Sequence, residues 1–519
     1  MASTFFGLTI AYTGLQAAQT SINVTAHNLS NVNTDGYTKE QAQVQAGDAL
    51  RTYSSYGTIG AGVIVKSISQ IRDSYYDEKY RNNHANYGEY EAKNNYMSQI
   101  QDYLNEFVLK GCSEEYKNFF SAVNQLTLTP ADESAKNQLV NNAKSMADYF
   151  NTLSTNLRNV QLDANNEVKD AVQQINSLAQ NISALNKQIN QIEANYGNSN
   201  DLRDQRNALL DKLSQIANIT TSEQDLGNNL TNFSVYINGQ PLIESYNYHS
   251  LQVVSRTEAR NASDIEGLYD IQWETGQEFN IYSDSLGGQL KGLIDIRDGC
   301  NGEIESFAKN DDGSYKVDHD GNNTLETANY DGSNTSYKGI PYYQAQLNQF
   351  IQTFSEAVND ILKTGVSSDG KTEGISLFTV KDGSKPMTAS NVTVNKELLD
   401  DPNKLATKSA VNTGEANDDI MEKLRDLQNA KIFDGGIGSY FLETIVSDMS
   451  IDANKAETFT ANYLNLKTSI QNQRLSVMGV DVDEEAMDLM KFQQAYSLSS
   501  KMMSVMNQLY DKLINYTGV

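Results

Sequence analysis

The stretch MADYFNTLSTNLRNVQLDANNEVKDAVQQINSLAQNISALNKQINQIE, residues 146–193, decides the architecture. Met146, Phe150, Leu153, Leu157 and Val160, then Val168, Ala171, Ile175, Leu178, Ile182, Leu185, Ile189 and Ile192, recur mostly at intervals of three and four. That spacing places them on one face of a helix. Upstream, Thr129-Pro130 with Glu133 close behind predicts a helix start with proline in the first position, and Gly197 predicts the end. From 130 to 194 such a helix is a rod of roughly 95 Å, at about 1.5 Å per residue. Its apolar face needs partners along the whole length. Helical spacing recurs near 75–109, 201–217, 342–362 and 439–477, enough to cover the rod as a bundle.

Outward from the rod, both ends of the chain carry narrower stripes. Leu8, Ala11, Leu15, Ala18, Ile22, Thr25, Leu29 and Val32 follow the alternating steps of a coiled-coil seam, predicting a helix over about 5–32. It ends at Asn33-Thr34-Asp35-Gly36-Tyr37, after which 37–50 and 59–71 read as extended. Leu489, Phe492, Tyr496, Ser499, Met503, Met506, Tyr510 and Leu513 form a second seam. Beside it runs a further stripe of Ala495, Leu498, Met502, Val505 and Leu509, more apolar surface than one partner helix covers. A two-helix pair within one chain accounts for one stripe; the surplus predicts packing between chains.

The period changes over 219–284. Phe233, Val235 and Ile237 alternate, Asn238-Gly239 signals a type I′ hairpin, and Leu251, Val253, Ile271 and Trp273 continue the theme, predicting an inserted β domain. The stretch 366–414, with Leu377, Val380, Val392 and Val394, is a candidate addition to the same β region. Residues 309–340, rich in Asp, Gly, Asn and Ser, read as a surface loop or small hairpin.

At 519 residues the chain is too long for one ordinary core. Asp and Glu outnumber Lys and Arg by 66 to 40, and the formal charge of −26 argues against nucleic-acid and membrane-surface partners. A mean hydropathy of −0.54 suits narrow buried stripes better than one thick core. The two cysteines, Cys112 and Cys300, are too few for a disulfide framework or a four-cysteine zinc site and read as small buried hydrophobes. No apolar run approaches the roughly 20 residues that span a bilayer. The first Lys or Arg is Lys39, so no cleavable secretory leader is expected.

The terminal segments also carry motifs. Asn28-Leu29-Ser30-Asn31-Val32-Asn33-Thr34-Asp35-Gly36-Tyr37 resembles the opening signature of the flagellar axial proteins, the rod, hook, hook-associated and filament subunits. The family usually has Ala where Ser30 stands, and hook-associated members often have Arg in place of Lys39, which lacks the planar guanidinium fork. Gly479-Val480-Asp481-Val482-Asp483-Glu484-Glu485, with Gln493-Gln494-Ala495-Tyr496 beyond, is similar to the closing signature; Met478 and Asp481 stand where Ser and Asn are commoner. Asp201-Leu202-Arg203-Asp204-Gln205-Arg206 and Gly287-Gly288-Gln289-Leu290-Lys291-Gly292-Leu293-Ile294-Asp295-Ile296-Arg297-Asp298 resemble hook-associated members in particular.

This resemblance implies a structural subunit at the junction of hook and filament, exported by the flagellar type III route and resident in the extracellular flagellum. The implied partners are further copies of itself in a ring, the hook protein, a second hook-associated junction protein and an export chaperone. Seam and signature together give a candidate assembly interface: Leu8, Leu15, Ile22, Asn28, Leu29, Asn31, Thr34, Gly36, Tyr37, Asp483, Glu484, Glu485, Phe492, Gln493, Gln494, Tyr496, Met503, Met506, Tyr510 and Leu513. A hook protein would have a mostly β middle, which the rod contradicts. A secreted coiled-coil adhesin would not need a signature at both ends.

The sequence offers no enzyme chemistry and no cofactor motif. His27, His84, His249 and His319 have no second histidine three or four positions away, so a zinc pair on one helix is excluded and ordinary packing is expected. Asp481, Asp483, Glu484 and Glu485 sit where a helix begins, so they read as capping residues rather than metal ligands. Asp318-His319-Asp320-Gly321 has its glycine too early for a calcium loop and reads as a turn. The expected fold is mainly α with an inserted β domain: terminal coiled-coil helices (1–70 with 478–519), an elongated helical bundle (71–218, 285–365 and 415–477) and a β-rich outer domain (219–284, with 366–414 as its candidate extension).

Overall fold

A computed structural model describes residues 6–51, 58–104, 111, 113–310, 314–317, 323–329, 336–368, 370–410, 414, 417–433 and 436–516. Within them run helices α1 (Phe6–Ser30), α2 (Ser74–Leu104), α3 (Ser113–Leu128), α4 (Glu133–Glu193), α5 (Asn200–Ile216), α6 (Gly288–Asp298), α7 (Ile340–Lys363), α8 (Lys396–Asp400), α9 (Asp419–Asp426), α10 (Gly438–Met478) and α11 (Val482–Tyr516). The fold is mainly α with smaller β regions inserted.

The rod is α4, 61 residues without a break. It starts three residues later than Pro130 suggests, because the Asp132 side chain accepts the Ser134 N–H and takes the N-cap; Pro130 lies in the preceding turn. The predicted stripe is buried from Met146 to Ile189, with Leu178 and Leu185 half-buried, and its last member, Ile192, is exposed. Helices α3, α5, α6 and α7 cover it, and strands cover the remainder. Helix α2 joins α5 and α6 to α10, which closes the bundle.

Polar residues on the buried face of α4 bind strands as another strand would. Asn176 accepts the Leu251 N–H (2.8 Å) and donates to the Leu251 carbonyl (2.7 Å). Asn190 does the same with Thr231, at 2.9 and 2.7 Å. Asn165 accepts the Tyr269 N–H, and Asn186 donates to the Ser245 carbonyl. Each side-chain amide sets an N–H donor beside a carbonyl acceptor, as a peptide group does, so a helix docks on strand backbone without leaving it unpaired.

The inserted sheet is an antiparallel meander of 219–227, 230–237, 240–244 and 247–248, beside a ladder of 251–255 with 269–273. Asn238 and Gly239, at φ 52° and 75°, make the hairpin turn that the dipeptide predicts. The stretch 366–414 has, among its described residues, no strand that pairs with this sheet. Its strands 378–380 and 392–394 pair with each other, and 366–367 pairs with 406–408. Asn151 binds the Val392 carbonyl, whereas the meander docks on Asn186 and Asn190, roughly 50 Å farther along α4. Within 309–340 the described strand 325–329 pairs with 303–307 as a hairpin. Cys300 is buried and free. Cys112, His319 and the Asp318–Gly321 turn lie outside the described residues.

Helices α3, α6, α8 and α9 lie outside the helical patterns read above. Helix α6 is buried on nearly every side, so it has no polar face to set a period. It ends in charge: Arg297 and Arg256 both pair with Asp298, at 2.6 and 2.7 Å. Burial opposes ionisation of Asp298, and the two guanidiniums outweigh it, holding the carboxyl far below its usual range.

Two expectations follow. Asn176→Leu removes the partner of both Leu251 backbone groups and should cost about 2–4 kcal/mol in urea unfolding, whereas Asn137→Ala, which loses a bond only to its own helix, should cost well under half of that. Buried Glu305, beside Asn348, has its carboxyl pushed up from 4.5 to about 7 by burial. A folded value above the unfolded one stabilises below about pH 4.5, and that gain is lost as pH rises through about 7. Glu305→Gln should therefore raise stability at pH 8 by up to about 3 kcal/mol and flatten the slope between these limits, as read from urea midpoints.

Candidate assembly site where the chain ends meet

Helices α1 and α11 lie antiparallel in a register fixed at three points. A Cβ on Gly7 would lie 2.7 Å from Met506 Cε, one on Gly14 would lie 3.2 Å from Ser499 Oγ, and Asn28 donates to Glu485 at 3.1 Å. Each pair of numbers adds to 513, so the helices keep step over nearly six turns. The glycines permit this approach because any side chain there would meet the opposing helix. The seam is as predicted: Leu8, Leu15, Ile22 and Leu29 on α1 and Phe492, Tyr496, Met503, Met506 and Tyr510 on α11 are half-buried, with Ala11, Ala18 and Thr25 buried between them. Leu513 is the exception, 54 % exposed. The other side of α1, with Ala17, Ser21 and Val24, packs on a ribbon of strands 40–46 and 63–70.

The opening signature ties this pair shut. Asn28, 1 % exposed, donates to the Glu40 carbonyl and to Glu485 and accepts the Glu40 N–H and the Tyr37 hydroxyl. Gly36 turns the chain at φ 79° so that Tyr37 reaches back. Asn31 donates to the His27 carbonyl and Thr34 to Asn31, which finishes the helix end. Burial, then the charges of Glu40, Asp201, Asp204 and Glu485, push the Tyr37 hydroxyl far up. From the closing signature, Asp481 caps α11 by accepting the Asp483 and Glu484 N–H groups. Lys39 holds Glu484 at 2.7 Å and Glu485 at 3.0 Å, and its N–H donates to the Met478 carbonyl. Burial opposes the Lys39 charge, and hydrogen bonds to both glutamates outweigh it and raise its pKa.

Of the residues read as a candidate assembly interface, Asn28, Tyr37 and Glu485 make their contacts within the chain. Asn31, Thr34, Gly36 and Glu484 likewise shape the turn and the clamp. Asp483, Gln493 and Gln494 are exposed.

The sequence reading missed the ion pairs that anchor the clamp to the bundle. Asp204 on α5 accepts the Thr38 N–H and hydroxyl, and Arg72 links it to Asp77. Arg474 on α10 bridges Asp77 (2.8 Å) and Asp211 (2.6 Å), and Arg81 takes the other oxygen of Asp211. Three of these carboxylates come from α2 and α5, so no spacing in the sequence announces them; Asp204 alone lay within a quoted motif.

One face remains without cover. Leu498, Met502, Val505 and Leu509, the second stripe on α11, are each at least 50 % exposed, and Met487 and Met490 extend it. On α10, Leu464, Leu466 and Leu475 are exposed as well.

Comparison with known proteins bears on this arrangement. The family model for the helical domain of the flagellar hook-associated protein FlgK matches residues 97–378. The model for the C-terminal region of the flagellar basal body rod proteins FlgEFG matches 471–515, and that for flagella basal body rod proteins matches 8–38. Flagellar hook-associated protein 1 of Bacillus subtilis (strain 168) is 28 % identical over 532 residues, spanning 100 % of this chain and 99 % of its own. Its counterpart in Escherichia coli (strain K12) is 27 % identical over 550 residues, spanning 97 % and 98 %. The solved flagellar hook junction protein FlgK of Burkholderia pseudomallei shares the fold, with a TM-score of 0.58 over 77 % of this chain and all of its own, at 16 % identity.

Asn28→Asp tests the clamp. It sets a second carboxylate against Glu485 and loses both amide donor bonds, a cost of about 2–4 kcal/mol to the terminal pair. Limited proteolysis within 31–37 and 478–482 should become roughly 30-fold faster or more, while the main unfolding transition of the bundle stays in place.

Proposed function

The chain belongs to the FlgK family of flagellar hook-associated proteins, and on that premise we propose that it forms the structural junction between hook and filament, assembling through the outer face of α11. The exposed stripe of Leu498, Met502, Val505 and Leu509 carries this reading. Contiguous apolar surface of this kind on a chain with a formal charge of −26 is unfavourable in water and is relieved by packing against another subunit. The clamp around Asn28 fixes the angle at which α1 and α11 leave the bundle, so the stripe is offered in one orientation.

In the proposed arrangement the terminal pair forms the inner layer, the bundle lies outside it and the meander lies outermost. Copies of the chain close a ring, with hook protein on one side and a second hook-associated junction protein on the other. Among the described residues no helix is long and apolar enough to cross a membrane, and export by the flagellar type III route suits helices that pair after exit. Met487, Met490 and Met502, exposed and flexible, suit the groove of an export chaperone before assembly. The role is structural; no substrate is turned over.

Met502→Asp with Val505→Asp tests the outer face. Both side chains are about half exposed, so the purified double variant should keep its helical content and thermal midpoint. In assembly each buried, unpaired carboxylate costs several kcal/mol, so cells should build hooks and shed filament subunits into the medium. The variant itself should be found outside the cell, which separates failed assembly from failed export. Full-length filaments on cells that export the variant would overturn the assignment of this face.

A further inference from the structure

His27, Glu40 and Asp201 come from three separate elements, α1, the strand 40–46 and α5, and offer ligand atoms all within 4.8 Å of one another. They line one side of a cleft of about 300 Å³ that also takes in Thr20, Asn23 and Asn200. We propose that these three side chains form a binding site for a divalent transition-metal ion, with Zn²⁺ the best fit.

The charges around the cleft leave a place for a cation. Glu40 is 7 % exposed, and among the described residues its only ion-pair partner is His27, which carries no permanent charge; the Asn200 amide donates to its other oxygen at 2.6 Å. Asp201 stands exposed beside it with no ion pair among the described residues. His27 lies in the last turn of α1, where the helix dipole favours positive charge. The distance fits as well. His27 Nδ1 and Glu40 Oε2 are 3.3 Å apart, and two ligands at about 2.0–2.1 Å in tetrahedral array are about 3.3 Å apart. A bound ion takes the Nδ1 lone pair that now faces Glu40 and the Tyr37 hydroxyl, and the neutral imidazole keeps its single proton on Nε2. One imidazole and two carboxylates select zinc and its transition-metal neighbours over Ca²⁺ or Mg²⁺, which prefer oxygen alone. An ion here links α1, the ribbon and α5 and stiffens the joint that the Asn28 clamp sets.

The test is calorimetric titration of the full chain with Zn²⁺ alone, with Ca²⁺ alone as the comparison. One equivalent of Zn²⁺ should bind with Kd on the order of micromolar, and Ca²⁺ at least tenfold more weakly. Asp201→Asn, at an exposed position outside the clamp's hydrogen bonds, should weaken Zn²⁺ binding tenfold or more and abolish the rise in thermal midpoint that Zn²⁺ gives the native chain. His27→Gln should do the same, whereas His249→Gln, at a histidine elsewhere on the surface, should change neither. Absence of a micromolar equivalent, binding that survives both Asp201→Asn and His27→Gln, or loss of binding in His249→Gln overturns the proposal.

Discussion

A helix of 61 residues with one continuous apolar face cannot bury that face by itself, and this constraint on α4 organises the molecule. Local segments reach only its ends, so the chain returns to it repeatedly: α3 and α5 as neighbours in sequence, then the meander, α6, α7 and the short strands around 378–394. Covering a helix partly with strands brings a cost of its own, because strand edges expose N–H and carbonyl groups. Asn151, Asn165, Asn176, Asn186 and Asn190 meet that cost with side-chain amides. The asparagines of this polar-looking rod are therefore part of its core.

The bundle then has to hold two long helices from opposite ends of the chain. The α1/α11 seam alone is narrow and only half-buried, and glycine and alanine along α1 give it close approach rather than area. The polar clamp supplies what the seam lacks. Asn28 is saturated by four hydrogen bonds, and Lys39, Arg72 and Arg474 continue the chain of contacts into α11, α2, α5 and α10. Removing one member strands a buried group, which costs more than the bond was worth. Using the signature inside the chain leaves the apolar outer face of α11 free for contacts between chains.

Much of the fold was legible in the sequence. The rod, the terminal seams, the bundle helices near 200, 340 and 439 and the Asn238-Gly239 turn all depend on period or on backbone preference within a few residues, and a sequence states both directly. Of the candidate site, the seam residues were legible for the same reason, and so was the unpaired second stripe. Leu513 and the start of α4 were not, since the end of a pairing and the choice between Pro130 and Asp132 rest on neighbours in space.

What only the tertiary structure decided is which groups meet. Spacing records that a face is buried and not what buries it, so nothing in the period of α4 says that Asn176 faces a strand, or that 366–414 packs far from the meander. Asn28 and Glu485 are 457 residues apart, and His27, Glu40 and Asp201 come from three elements. The sequence by itself determined that this is a long helical protein with matched ends and surplus apolar surface. Only the fold decided that its signature residues face inward, because a hydrogen bond between distant residues is a fact of geometry and leaves no periodic trace.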